Sequence, residues 1–460
     1  MKRRVVITGM GIMTSIGEGL DDFWHNCLEA KSVVAPIPDH WPDYAEFTST
    51  IWSPLPDIDF SAYNINRTEM MMLDKSVMLA LSASKQALDQ ADLAISLKNK
   101  KKNTYLIEDI NPNRSGVFMG SGIGGVNSII ANISNHLFTP PQKQLDQLKT
   151  VCQGTSREKA SLNLISSMNT SMRMPFRFNP FVIPMGMPNA CSANIGIKYS
   201  LHGPNITFCC SCAAGAVAIG HAFQAIQNDQ IDLALSGGTE YLADDFGSIF
   251  RGFDTAKTLV KNCDNPLTAN RPFDKNRSGF LFGEGGSAIL ILEELHHAKK
   301  RGAPIIAEVT GFAETFDAHN IMIMDPEAAD ITRMIRQALK QAGLAPSDID
   351  YINAHATGTS VNDEIETSVI ENCFGKGPLV NATKSLIGHT IGASAAIEAV
   401  VTALSIAGQT THICKNLEDP IKDLNFVTTV KPFSIKKAIS QSFGFGGHNA
   451  ALILEEYEKP

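Results

Sequence analysis

The chain has 460 residues, of which 44% are hydrophobic and 19% charged, and its formal net charge is −8. This length predicts one very large domain or two domains, and the ordinary composition excludes extensive disorder. The acidic balance argues against general nucleic-acid binding. No apolar stretch approaches the roughly 20 residues of a membrane-spanning helix, so we expect no membrane span.

The N-terminal segment is basic and then apolar, reading MKRRVVITGMG. Its apolar run is short, contains two glycines and lacks a clear cleavage site. A buried strand over Val5–Thr8 is therefore favoured over a signal peptide. The chain has nine cysteines but no paired C-x-x-C set, which argues against zinc. Free thiols fit a reducing compartment, and we expect a cytoplasmic location.

Two pairs of segments resemble each other in the same order along the chain. They are VITGMG at 6–11 with EVTGFA at 308–313, and GGSAILILEE at 285–294 with GGHNAALILEE at 446–456. Repeats of this kind predict two related halves. We place them at 1–302 and 303–460.

Each half alternates apolar runs with helical patterns, as over 74–91 and 394–407. The apolar runs are VVITG, GVFMGS, ITFCCS, DLALSGG and AILILEE in the first half, and IIAEVTG, YINAH, LVNAT, AISQSF and AALILEE in the second. Continuous apolar runs are typical of strands buried on both faces. The pattern predicts an α/β fold with helix layers around sheets. Residues 97–113 are predicted to form a polar surface excursion, and residues 138–175 an insertion.

Cys212 follows an apolar run and a turn of small residues, and a helical pattern begins directly after it. This is the arrangement of a nucleophile elbow. A cysteine at a helix N-terminus favours the thiolate, and its backbone N–H can hold an oxyanion. We therefore interpret Cys212 as a nucleophile, and Cys209 and Cys210 as buried structural thiols.

Two histidines follow strand-like runs in the second half. His355 lies in NAHATGTS, and His389 lies in NATKSLIGHTIGAS ahead of a helix of small residues. Strand ends are where α/β folds collect ligands. The His389 segment matches the Cys212 segment in position, so two related halves would bring Cys212 and His389 face to face. The later segment SFGFGGHN, at 442–449, suggests a mobile loop with bulky side chains.

Taken together, these segments resemble the thiolase-fold condensing enzymes, and more narrowly the chain-elongating β-ketoacyl-[acyl carrier protein] synthases. The resemblance covers essentially the whole chain and depends on the motifs CxxG, HxTGT, TKSxxGH and GFGGxN. It implies a thiolase-like duplicated fold in which two related α/β halves form a layered α-β-α-β-α core.

The resemblance also implies a role for each matching residue. Cys212 would carry the acyl group, His355 and His389 would hold the enolate of a malonyl thioester, and Lys384 would orient the site. The remaining residues would be Phe445 as an oxyanion donor, Glu398 as the partner of Lys384, Thr357 and Thr359 on the phosphopantetheine arm, Ile123 and Phe443 near the acyl chain, and Asp363 as structural support.

The activity implied is a decarboxylative Claisen condensation with malonyl-acyl carrier protein, giving β-ketoacyl-acyl carrier protein in fatty acid elongation. The partners would be an acyl carrier protein, acyl and malonyl thioesters and a second copy of the chain. We expect no metal and no bound cofactor, because phosphopantetheine arrives on the carrier. Two alternatives stay open: a ketosynthase of a specialised polyketide or polyene pathway, and a non-catalytic partner subunit of a ketosynthase heterodimer.

Two features fit this pattern less directly. The run GSGIGG at 120–125 resembles a dinucleotide-binding loop, but no acidic residue closes a second strand at the expected spacing. The resemblance instead places it along the acyl tunnel, with Ile123 near the chain. Ser211 stands before the nucleophile, where the family commonly has a small apolar residue.

Overall fold

The computed structural model describes residues 2–134, 163, 164, 166, 167 and 179–458. The predicted insertion at 138–175 therefore lies almost wholly outside the described residues. The strands are β1 (Val5–Thr14), β2 (Gly17–Glu18), β3 (Ala35–Pro36), β4 (Ile51–Trp52), β5 (Ile95–Asn99), β6 (Thr104–Ile107), β7 (Ser115–Gly120), β8 (Asn205–Phe208), β9 (Leu233–Tyr241), β10 (Gly285–Glu294), β11 (Ala307–Phe316), β12 (Tyr351–Asn353), β13 (Leu379–Asn381), β14 (Lys437–Gly444) and β15 (His448–Glu455).

The helices lie between these strands, and residues 126–134 are also helical. They are α1 (Leu20–Leu28), α2 (Arg67–Met70), α3 (Lys75–Gln90), α4 (Val182–Gly186), α5 (Ala190–Tyr199), α6 (Ala214–Gln227), α7 (Ser248–Thr255), α8 (Leu295–Lys300), α9 (Ala329–Ala342), α10 (Ser360–Phe374), α11 (Lys384–Ile387) and α12 (Ser394–Gly408).

The strand order shows that the fold is duplicated. Hydrogen-bonded neighbours follow the path β13-β12-β14-β15-β11-β1-β10-β9-β7-β8. Each half contributes five strands to this path, which can be numbered 1 to 5 in chain order within the half. From the centre outward, both halves then follow the same order, 1-5-4-2-3. The halves meet where β1 pairs with β11 in antiparallel fashion, at Val5–Ile7 against Ala307–Val309. The predicted α/β class and duplication are confirmed, and the predicted boundary at 302/303 falls between α8 and β11.

Apolar runs form these strands because helices cover both faces of the sheet. β1, β9 and β10 are buried along their whole length. α3 packs on β1 and β10 from one outer side, and α9 packs on β11 and β15 from the other. α6 and α12 pack against each other between the two halves of the sheet. The result is the α-β-α-β-α layering that the resemblance implies.

The two central helices approach so closely that their small residues are required. A Cβ placed on Gly215 in α6 would lie 2.6 Å from the backbone nitrogen of Ala396 in α12. Both residues lie in the first turns of their helices. The N-terminal ends of α6 and α12 are therefore adjacent, which brings the segments before them, with Cys212 and His389, to one place.

Helix bounds agree closely with the sequence patterns. Asp74 caps α3 by accepting from the Ser76 N–H at 2.8 Å, and α12 begins at Ser394 as predicted. The polar segment 97–113 contributes to a β5–β6 hairpin.

The expectation that no apolar stretch reaches spanning length was wrong for one segment. Residues Ile391–Gly408 have a mean hydropathy of 1.7 over 18 residues, and 83% of this window is buried inside the protein. It is the central helix α12 with the turn before it. Its apolar composition follows from burial between the two halves of the sheet.

Candidate active site

Cys212 lies in a turn that leads directly into α6. Ser211–Ala213 form one turn of 3-10 helix, and Cys212 is 3% exposed. Ser211 has a φ of +50°, a strained value for a residue with a side chain. The second half repeats this device, since Ile391–Ala393 form the same turn before α12 and Ile391 has a φ of +49°. The elbow predicted at Cys212 is thus present in both halves.

The structure brings Cys212, His355 and His389 together in the core. The Cys212 Sγ lies 3.0 Å from the His389 Nε2. The two imidazole rings lie 5.5 Å apart at an angle of 86°. The Cys212 Sγ and one ring nitrogen of each histidine lie within 4.8 Å of one another. A substrate atom could contact all three groups at once.

The hydrogen bonds of His389 define which nitrogen carries its proton. The Nδ1 accepts from the backbone N–H of Ile391 at 3.3 Å and lies 2.9 Å from the Ser394 hydroxyl. A backbone N–H can only donate, so Nδ1 of the neutral ring has no proton. The proton is therefore on Nε2, which points at the Cys212 sulfur.

Lys384 defines the proton position on His355 in the same way. Its ammonium donates to the His355 Nδ1 at 3.1 Å and to the His355 carbonyl at 2.7 Å. It also pairs with the Glu398 carboxylate, and both of these charged side chains are 1% exposed. Because an ammonium only donates, His355 too carries its proton on Nε2. Both rings thus present an N–H donor to the site.

Burial keeps both imidazoles uncharged. Burial lowers the pKa of His389 well below its ordinary value, and the charge of Lys384 lowers it further. The pKa of His355 is lowered well below its ordinary value by burial, then by Lys384 and His389. Two neutral N–H donors suit an enolate oxygen, because they stabilise it without requiring a proton transfer.

The expectation that the helix terminus would favour a Cys212 thiolate was wrong in direction. Burial raises the pKa of the Cys212 thiol, because it removes much of the solvent that would stabilise a thiolate. The Ser211 hydroxyl, the charge of Lys384 and the Phe445 N–H lower this pKa in part. The resting nucleophile is therefore a thiol surrounded by groups that stabilise its ionised form.

A pocket of about 320 Å³ leads from the surface to Cys212. Thr357 and Thr359 line it, with their hydroxyl oxygens 2.9 Å apart. Phe443 and Phe445 line it as well, and the Phe443 ring packs 5.5 Å from that of His355. These four predicted residues therefore line the pocket that leads to Cys212.

Ile123, predicted to bind substrate, and Asp363, predicted to give structural support, are not among the residues that line this pocket. Ile123 packs against the apolar cluster that contains Cys212. Asp363 is fully buried, accepts from the Phe273 N–H at 2.8 Å and the Gly358 N–H at 3.1 Å, and so fixes the loop after His355. Its predicted supporting position agrees with these contacts.

Sequence reasoning missed two buried carboxylates beside the site. Glu366 accepts from the backbone N–H of His355 and of Ala356, each at 2.7 Å, and so anchors the strained loop at Ala356, where φ is +42°. Glu240 holds the loop at 120–125. Neither contact has a local sequence signature, because a glutamate can receive backbone N–H groups from any distant segment.

Two cysteines differ from their predicted burial. Cys209 is exposed and Cys210 is half-buried, because both directly follow β8, which lies at the edge of the sheet. In geometric terms Cys212, His355 and His389 could also hold a thiophilic metal ion. The N–H donors on both Nε2 atoms favour an anionic oxygen as the ligand instead.

The comparison with known proteins agrees with this geometry. The models of the β-ketoacyl synthase N-terminal and C-terminal domains match residues 2–298 and 306–418. The 3-oxoacyl-[acyl-carrier-protein] synthase 2 of Synechocystis sp. is 36% identical to the chain, with 99% of both chains covered. The solved structures that cover all of both chains include a β-ketoacyl synthase from Burkholderia phymatum (29% identical, TM-score 0.81) and a type II polyketide ketosynthase in complex with its acyl-carrier protein (26% identical, TM-score 0.75). With both domain models matched and a relative of this identity over its full length, the chain belongs to the β-ketoacyl synthase family.

Proposed function

We propose that this protein catalyses the decarboxylative condensation of an acyl group on Cys212 with malonyl-acyl carrier protein in fatty acid elongation. The observation that carries the proposal is the convergence of the Cys212 thiol with the two neutral imidazoles at the end of a pocket, where the sulfur and one nitrogen of each ring lie within 4.8 Å of one another. The related synthase from Synechocystis is named for this activity.

In the first step the Cys212 sulfur attacks the acyl thioester of the carrier. The new bond joins sulfur to the acyl carbon, the carrier's carbon–sulfur bond breaks, and the thiol proton ends on the released carrier thiol. The N–H groups of Cys212 and Phe445 hold the developing oxyanion. The His389 Nε2–H, 3.0 Å from Sγ, stabilises the attacking thiolate.

In the second step the carbonyl oxygen of a malonyl thioester accepts from the Nε2–H groups of His355 and His389. The bond to the carboxylate breaks, carbon dioxide leaves, and the electron pair forms an enolate. The enolate carbon then attacks the acyl carbonyl on Cys212. That carbon–sulfur bond breaks, which releases β-ketoacyl-acyl carrier protein and leaves Cys212 as a thiolate, and a proton taken up from solvent restores the thiol.

The pocket mouth suits an arm delivered on a carrier protein. The hydroxyls of Thr357 and Thr359 offer hydrogen bonds to its amides, and Lys257 adds a positive charge for its phosphate. The rim is apolar and open, with Ile323 and Val361 56% and 50% exposed. The ketosynthase neighbour bound to its acyl-carrier protein supports a carrier as partner. We propose phosphopantetheine on the carrier as the only cofactor, because every step moves electron pairs among groups already named.

The second copy and the location belong to the same proposal. β8 pairs only with β7 among the described strands, so its outer edge is open. Ile206 on β8 and Ile197 on α5 are 41% and 64% exposed. They form an apolar surface that suits a homodimer. The eight described cysteines are all free, in keeping with a cytoplasmic location.

The test incubates the purified protein with acyl-carrier and malonyl-carrier thioesters. Carbon dioxide release, β-ketoacyl product and an acyl mass on Cys212 are expected. Cys212→Ala should lose the product and the mass, whereas Cys263→Ala, at an exposed cysteine, should keep both. Condensation by Cys212→Ala at the wild-type rate would refute the proposal. A wild-type protein that never acquires an acyl mass would indicate the non-catalytic subunit, and one that is acylated only from specialised carriers would indicate a polyketide or polyene pathway.

A further inference from the structure

The glycine-rich loop at 120–125 binds an anion, and that anion is the protein's own Glu240. The carboxylate lies at the end of β9 and is 0% exposed. It accepts from the backbone N–H groups of Gly122 and of Ile123, the latter at 3.3 Å. It also accepts from the Ser121 hydroxyl at 3.1 Å. Successive N–H groups of this kind form an anion-binding nest.

A fourth donor reaches Glu240 from the other half of the fold. The backbone N–H of Gly392 donates to the same carboxylate at 3.1 Å. The Ser121 oxygen accepts from the Gly124 N–H, also at 3.1 Å, so its own proton is free to point at Glu240. All four partners are thus donors. Among the described residues no cationic side chain forms an ion pair with Glu240, and these four donors stabilise its ionised form. Burial raises its pKa to about 7, and the donors oppose that shift.

The loop and the Gly392 turn interlock around this carboxylate. A Cβ on Gly392 would lie 2.3 Å from the Gly122 nitrogen and 2.4 Å from the Glu240 Oε2. A Cβ on Gly122 would lie 2.7 Å from the Ile391 Cγ2. At such distances, movement of either backbone segment is transmitted to the other.

Both segments are attached to the reacting groups. Ile123 belongs to the nest through its N–H, and its side chain packs on the apolar cluster that contains Cys212, Phe280 and Ile391. Ile391 donates its N–H to the Nδ1 of His389. One carboxylate therefore fixes both an apolar side chain packed on the cluster that contains Cys212 and the turn that orients a histidine.

We propose that Glu240 is a positioning residue that sets the space for the acyl chain on Cys212. It does so by holding the Ile123 wall of the first half against the Gly392 turn of the second. This inference deepens the proposed function and rests on it for the identity of the chain. Glu240 does not touch substrate and acts through Ile123 and Ile391.

The test compares Glu240→Gln with the wild type, using probes that need no carrier. Methyl and octyl methanethiosulfonate each transfer an alkylthio group to a thiolate and release sulfinate, which leaves a short or a long chain on Cys212. Peptide mass mapping gives the two rates at Cys212 alone. We expect the octyl-to-methyl ratio to change by at least about tenfold, because the amide NH₂ of glutamine opposes the N–H donors and releases the wall.

The matched control is Glu293→Gln. Glu293 is also 0% exposed but lies away from this loop, paired with Arg301 at 2.7 Å. We expect its rates to change together, with the ratio preserved. An unchanged ratio in Glu240→Gln, or an equal shift in Glu293→Gln, would overturn the inference. If Glu240→Gln does not fold, Ser121→Ala removes one donor and should shift the ratio in the same direction, and no shift there would equally overturn it. The probes label Cys212 without any condensation. If the wild-type protein formed no acyl-enzyme from carrier thioesters, the proposed function would be refuted, but the octyl-to-methyl ratio could still be measured.

Discussion

Replacing Lys384 with methionine would separate two effects of its buried ion pair with Glu398. Both side chains are 1% exposed. Methionine fills much of the lysine volume but leaves the Glu398 charge unpaired. Breaking a buried pair in this way costs about 3–5 kcal/mol of unfolding free energy. Replacing both residues, as in Lys384→Met with Glu398→Gln, removes both charges, so we expect more than half of that loss to be recovered.

The catalytic effect should not be recovered with the stability. Without the ammonium 3.1 Å from Nδ1, His355 is free to carry its proton on Nδ1. It then presents a lone pair to the enolate instead of a donor. Loss of one donor to a developing oxyanion raises the barrier by roughly 3–4 kcal/mol, or about 10²–10³ in rate. Both the single and the double variant should show this loss.

The measurements are urea unfolding and the rate of carbon dioxide release from malonyl-carrier thioester. Lys422→Met is the matched control, since Lys422 pairs with Glu371 at 2.9 Å but the two side chains are 30% and 41% exposed. A pair of that kind contributes below about 1 kcal/mol, and the rate should stay at the wild-type value. If the double variant regained its rate along with its stability, Lys384 would only balance charge, and the tautomer argument would be refuted.

Three further predictions follow from single groups. Gly444→Ala should reduce condensation at least roughly 100-fold, because its Cβ would lie 2.7 Å from the Cys210 carbonyl and 3.2 Å from the Cys212 nitrogen. The matched control is Gly377→Ala, which should keep wild-type steady-state kinetics because a Cβ at Gly377 meets open space. A free thiol titrates at about pH 8.5. Because burial raises the pKa of Cys212, the rate of its alkylation by iodoacetamide should still increase with pH beyond that value. A rate that reaches its plateau at a lower pH would contradict this prediction. Burial raises the pKa of Glu366 to about 7, so the folded state binds its proton more tightly than the unfolded chain, and its contribution to stability falls as pH rises from 4.5 to about 7. Urea unfolding of Glu366→Gln should show a smaller decline over that range, and an unchanged slope would count against it.

The elements of the fold could be predicted from local patterns. All ten apolar runs became strands, because strands covered on both faces need continuous apolar side chains. The helix at 74–91 was correct to within a residue at each end, since Asp74 is a cap that the sequence displays. The span-like composition of Ile391–Gly408 was missed. The helix itself was predicted, but its composition resembles that of a membrane span because a central helix has no solvent face and so no polar stripe.

The positions of the site residues could be predicted, but their electrostatics could not. The repeat placed Cys212 opposite His389, because related halves put related elbows at one interface. The direction of the Cys212 pKa depends on how much water remains around the sulfur, which is a property of the packed core. Glu240 and Glu366 were missed for a related reason. Their partners are backbone N–H groups of distant segments, and every residue except proline carries one.

The duplicated elbow explains why only one half carries a nucleophile. In the second half the position that corresponds to Cys212 is Gly392, at the same place in the same turn. A side chain there would meet the Gly122 nitrogen at 2.3 Å, so the second elbow has no room for a thiol while the Glu240 nest is closed. The absence of a side chain in one elbow thus lets the glycine loop approach and places Ile123 against the apolar cluster that contains the cysteine of the other. On this reasoning, Gly392→Ala should disrupt the Ile123 wall as Glu240→Gln does, and the same octyl-to-methyl ratio at Cys212 would measure it. A Gly392→Ala protein that folds and keeps the wild-type ratio would show that the two elbows are independent.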